Sequence, residues 1–163
     1  MKGSVVAEAS TRATQSFVAE RQIRIQASPE TVFSFFVDEH KILRWMGIEC
    51  GVDPRPGGRY RLQVTPDSLM IGEFVEVDPP RYVSFTWGWD DEASPVPAGS
   101  SLVEITLQPD GDATILTLRH SGLPNQDSVS LHDGGWQHFL ERLAIAAAGG
   151  DPGPDPWAMG GEQ

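Results

Sequence analysis

The stretch SVSLHDGGWQHFLERLAIAAA, residues 128–148, constrains the fold of this chain more than any other. At about 100° per residue, Val129, His132, Trp136, Phe139, Leu140, Leu143 and Ala147 fall on one stripe about 100° wide. His138 and Glu141 point elsewhere. A helix is expected from a cap at Asp127 or Ser128 to Gly149. A helix of this length with one apolar side must lay that side on a surface of matching size.

The chain supplies that surface as strands. YVSFTWGW, residues 82–89, puts Val83, Phe85, Trp87 and Trp89 on one side and Tyr82, Ser84, Thr86 and Gly88 on the other. RYRLQV, residues 59–64, places Tyr60, Leu62 and Val64 together, and MIGEFVEV, residues 70–77, follows. SLVEITLQ and ATILTLRH flank Asp110-Gly111, a strong tight-turn signal, with Leu116, Leu118 and His120 on one side. FVAERQIRIQA, residues 17–27, reads as a first strand through Ile23 and Ile25. Two short helices come next. Ser28 caps the first, with Pro29 at its first position and Glu30 near its positive end. EHKILRWMG, residues 39–47, holds the second, closed by Gly47. One apolar face per strand and one apolar stripe on the last helix have a simple solution: the helix lies across the concave face of a curved antiparallel sheet.

Residues 1–16 read as a flexible leader, 17–148 as the domain, and 149–163 as a Gly/Pro-rich disordered tail in which Trp157 could dock on a neighbour. The chain has 163 residues, enough for one domain with a real core. Its net charge of −11 repels a polyanionic nucleic acid and an anionic membrane surface, so neither partner is expected. Cys50 is the only cysteine, which fits a reducing compartment. With no apolar run of spanning length and no signal peptide, a cytoplasmic location is expected.

ASPETVFSFFVDEHKILRWM, DPRPGGRYRL, GEFVEVDPPRYVSFTW, LRHSGLP and HDGGWQHFLERLA, in this order, resemble the helix-grip fold of the START-like (SRPBCC) superfamily. The nearer resemblance is to the branch named after the activator of the heat-shock-protein-90 ATPase. It spans roughly residues 17–148. It implies an α+β helix-grip (START/Bet v-like) fold, with the curved sheet wrapped on the long C-terminal helix and two short helices after the first strand. The superfamily includes lipid carriers, cyclases, hormone receptors and co-chaperone domains, so the fold leaves the function open. A chaperone partner is one implication. The co-chaperone itself has a separate N-terminal chaperone-binding domain, where this chain has only a short polar leader.

The resemblance to ligand carriers makes a cavity between sheet and helix the leading expectation. Trp45, Tyr60, Phe85, Trp87, Leu118, Trp136, Phe139 and Leu140 would line it, with His120 and His132 giving a small aromatic or lipid-like ligand its direction. The alternative is that these rings are ordinary core, since covering one tryptophan is worth up to ~4–6 kcal/mol by itself. Gly134-Gly135 costs the helix ~1 kcal/mol per residue against alanine. A bend, a close sheet or a close ligand would explain it, and ligand access is expected at that end.

Enzymatic readings are weaker. A cyclase- or hydrolase-like reaction would use His120, His132 or Glu73 as general acid–base. Glu73 either points inward among Ile71, Val75 and Val77 or sits at the rim with Arg119 or Arg61. Ser121, His120 and Asp133 form no credible triad, because adjacent strand residues face opposite ways. The four histidines and Cys50 show no metal-ligand spacing. No metal, cofactor or nucleotide loop is expected, and the chain is read as a monomer or homodimer.

Overall fold

The computed structural model describes residues 17–159. The leader, residues 1–16, and the tail end, 160–163, lie outside the described residues. Seven strands form one antiparallel sheet in the order β1-β7-β6-β5-β4-β3-β2. They are β1 (Phe17–Ile25), β2 (Glu49–Val52), β3 (Arg59–Thr65), β4 (Ser68–Asp78), β5 (Tyr82–Trp87), β6 (Ser101–Asp110) and β7 (Ala113–Leu123). The helices are α1 (Pro29–Val37), α2 (Glu39–Ile42) and α3 (Gln126–Ala147). The edge strand β2 has no strong alternation and was not foreseen.

Local chemistry explains most boundaries. The Ser28 side chain accepts from the Thr31 amide at 3.2 Å and starts α1, whose Val32, Phe33, Phe35 and Phe36 are buried. The Asp38 carboxylate caps α2 by accepting from the amides of His40 and Lys41. That helix is shorter than expected. The chain leaves it after Ile42, and the reversal ends at Gly47, whose φ of +90° suits glycine. Between them Trp45 is fully buried and donates its indole N–H to the Phe35 carbonyl at 3.0 Å. The β6–β7 hairpin turns at Gly111, with Asp110 opposite Ala113, as its sequence signal requires.

Helix α3 begins two to three residues earlier than read. Asn125 is the cap, its side chain accepting from the Ser128 amide at 2.8 Å. The expected stripe holds, because His132, Trp136, Phe139, Leu140, Leu143 and Ala147 are buried against the sheet. The helix runs unbroken through Gly134-Gly135. A Cβ at either glycine would meet nothing within 4 Å, so no close sheet demands glycine there.

The face of β5 answers the cavity-or-core question in pieces. Val83 and Phe85 are core. Phe85 joins Tyr60 and Phe74 in one cluster, with the Tyr60–Phe85 ring centres 4.6 Å apart. Tyr60 is 0% exposed, and among the described residues its hydroxyl has no hydrogen-bond partner. Burying an unmade hydrogen bond costs about 1–3 kcal/mol. Tyr60→Phe is therefore expected to hold or raise stability by up to about 1–2 kcal/mol in urea unfolding. A loss above about 1 kcal/mol would show that the hydroxyl is satisfied.

The tail departs from the expectation of disorder as far as Met159. Residues 149–155 run back along α3 and end in a short 3-10 turn, Pro156–Met159. The buried Asp155 accepts from His138 Nε2 at 2.9 Å and from the Trp157 amide at 3.0 Å. Trp157 stacks on the His138 ring, centres 3.8 Å apart and planes 13° apart. Glycine and proline do forbid a continued helix, but the Asp155 carboxylate, the Trp157 indole and the Arg142 guanidinium, which donates to the Pro152 carbonyl, hold the segment against α3.

Candidate functional site

The first half of α3, the end of β5, the β3–β4 turn and the 90–94 loop line a half-open cavity of ≈ 330 Å³. Trp87, Trp89 and Trp136 wall it, and Trp157 of the strap closes one side. Met46, Val64, Leu69 and Phe139 add apolar surface. Leu131, 72% exposed, and Gly135 border it on the helix, at the end where access was expected.

Of the ten residues read as ligand-binding, Trp87, His132, Trp136 and Phe139 line this space. Trp45, Tyr60, Phe85, Leu118, His120 and Leu140 do not. All six are at most 2% exposed and packed in the core. The sheet's middle is filled, and the indole-walled space lies between the last helix and the β3–β4 turn. Glu73 is exposed and lines no part of the cavity. Asp133 is held by Arg21, Nε to Oδ1 2.8 Å.

The histidines set the geometry of the walls. An indole N–H can only donate, so each nitrogen that receives one is unprotonated. Trp136 Nε1 donates to His120 Nδ1 at 3.0 Å. His120 therefore carries its proton on Nε2 and donates it to Ser101 Oγ at 2.8 Å. Ser101 in turn donates to the Trp87 carbonyl at 2.7 Å. Trp89 Nε1 donates to His132 Nε2 at 3.1 Å, so His132 is protonated on Nδ1 and donates to the Ser128 carbonyl at 2.8 Å. Both imidazoles are neutral. Burial pushes His120 down to about 3, helped by the nearby His132. Burial also lowers His132, against the opposing pull of the Ser128 carbonyl. Two indoles are thus fixed in orientation before anything enters. Trp87 Nε1 is different. It is buried and, among the described residues, has no hydrogen-bond partner.

This fold and site can be placed among known proteins. The family model described as "Activator of Hsp90 ATPase homolog 1-like protein" matches residues 26–148. The chain belongs to this AHSA1-like family. An AHSA1-like protein from Rhizobium etli is 47% identical over 91% of each chain, with a TM-score of 0.70. CalU16 from Micromonospora echinospora is 26% identical over 88% of each chain, TM-score 0.67. An HSP90 activator from Plasmodium falciparum shares the fold, TM-score 0.66, at 24% identity over 81% of this chain and 95% of that one. Among curated proteins no match was found.

In this AHSA1-like domain the sequence reading missed several cavity residues. Trp89 shares the alternation of Trp87 and could have been chosen with it. Trp157 stands among glycines and prolines, which hid its contacts. Asp67, Asp90 and Asp91 also line the cavity, and nothing local in the sequence marks turn carboxylates as facing one space. Cys50 is no nucleophile, since burial and the nearby Glu39 push its thiol up to about 12. Among the described residues no cluster of three His, Cys, Asp or Glu side chains could hold a metal ion, and no helix is long and apolar enough to cross a membrane.

Proposed function

We propose that this AHSA1-like chain is a receptor for a small hydrophobic molecule bearing an aromatic or similarly flat apolar body. The observation that carries this reading is the ≈ 330 Å³ cavity walled by indoles. Two of those indoles, Trp89 and Trp136, are already fixed by neutral histidines. Apolar walls with a few placed polar groups are what small-molecule sites share. Orientation set before binding lowers the ordering cost of association.

The acid–base alternative finds less support. His120 is fully buried with both ring nitrogens engaged, and both nitrogens of His132 are engaged too. A purely protein-docking role, as in chaperone regulation, gives no account of the indole-walled cleft beside α3.

The test uses N-phenyl-1-naphthylamine, a neutral fluorescent apolar probe, with the Gly135→Leu variant. Gly135 lines the cavity, and a Cβ there meets nothing within 4 Å, so the larger side chain fits while taking ligand space. Leucine also favours the helix by somewhat under ~1 kcal/mol over glycine. The expected result is saturable binding by the native chain. The variant is expected to unfold no earlier and to bind at least about tenfold more weakly. Absence of binding, or equal binding by a folded variant, would overturn the reading.

A further inference from the structure

We propose that the natural ligand is cationic: an apolar, aromatic body with a protonated amine at one end, body inside and ammonium at the mouth. This rests on the receptor reading above and names the ligand class for that site.

The charges around the opening are of one sign. Asp67, Asp90 and Asp91 line the cavity, and among the described residues no lysine or arginine does. They come from two loops joined by main chain: the Asp90 amide donates to the Leu69 carbonyl at 2.8 Å, which brings the 90–94 loop beside the β3–β4 turn. Among the described residues none of the three forms an ion pair, although other acidic side chains here find arginines. Asp91 Oδ1 accepts from the Ala93 amide at 2.9 Å, which orders the loop without neutralising the charge. Three uncompensated carboxylates at an apolar opening attract a cation and repel a fatty acid or other anion.

The interior agrees independently. Indole faces attract cations through their quadrupole, and two of the indoles that border the space, Trp89 and Trp157, are only partly buried and so can meet a charge held near its mouth. The histidine that lines it, His132, is neutral and adds no opposing charge, because it accepts from Trp89.

The experiment compares three matched compounds by calorimetry at pH 7 and low salt: 2-(1-naphthyl)ethylamine, 2-(1-naphthyl)ethanol and 1-naphthaleneacetate. The amine is expected to bind about tenfold tighter than the alcohol, and the carboxylate weakest, with the preference shrinking in about 0.5 M salt. Neutralising Asp67, Asp90 and Asp91 to asparagine together is expected to abolish the preference while leaving the alcohol's affinity within about twofold. A control that neutralises the exposed Glu20, Glu49 and Glu76 changes net charge equally and is expected to keep the preference. Equal binding of amine and alcohol, or an equal loss in the control, overturns the cationic ligand and leaves the receptor reading standing. If none of the three compounds nor the neutral naphthylamine probe binds, both readings fall.

Discussion

Acidifying the protein from pH 6.5 to 5 is expected to remove about 2 kcal/mol of folding stability through His120 alone. In an unfolded chain this imidazole titrates near 6.5, whereas burial holds it at about 3 in the folded state. Between those values the unfolded chain binds a proton that the folded chain refuses. Each pH unit lost in that interval costs about 1.4 kcal/mol, and the effect is absent above 6.5 and constant below 3. His132 is lowered by burial as well and adds in the same direction. The structural reason is explicit. His120 Nδ1 can accept from Trp136 only while unprotonated, and it sits 0% exposed. Urea midpoints measured across this interval, above most carboxylate titrations, give the slope directly. His120→Gln is expected to start less stable but to show a clearly shallower slope. An unchanged slope in that variant would mean that another group carries the acid sensitivity.

The second large effect is expected at the C-terminal strap. Asp155→Ala removes a buried carboxylate that accepts from His138 and from the Trp157 amide, and whose second oxygen lies 3.9 Å from Arg142 Nε. Deleting one member of such a buried set costs more than the set contributes, because its partners stay behind unpaired. A loss of about 2–3 kcal/mol in urea unfolding is expected. Asp155→Asn keeps an acceptor oxygen for both donors and is expected to lose less than half as much. Trp157→Ala leaves the carboxylate in place but removes the ring that stacks on His138 and walls the cavity. It is expected to cost about 1–2 kcal/mol and to speed release of the naphthylamine probe several-fold. If Asp155→Ala unfolds at the native urea midpoint, the strap does not hold the domain together. If probe release is also unchanged in Trp157→Ala, it does not close the cavity.

Much of this was legible residue by residue. The α3 stripe, the Asp110-Gly111 hairpin and the Ser28-Pro29-Glu30 helix start are local patterns whose physics acts within a few residues. The boundary errors arose where a competing local partner won, as when Asn125 rather than Asp127 or Ser128 capped α3. The candidate site was legible only in part. Trp87, His132, Trp136 and Phe139 line the space under the helix. Trp45, Tyr60, Phe85, Leu118, His120 and Leu140 have the same composition and periodicity but are packed solid.

By itself, then, the chain's pattern of apolar residues determined which elements form and which faces turn inward, because periodicity and capping are short-range properties. Only the tertiary structure decided where the inward faces fail to meet. A gap depends on how α3 sits against the end of β5, on a loop stitched to a strand by main-chain hydrogen bonds, and on an indole arriving from the tail. Those distances are set by contacts between residues far apart in sequence. So is the pairing of each histidine with one indole, which makes neutral hinges of two side chains that alone would read as acid–base groups.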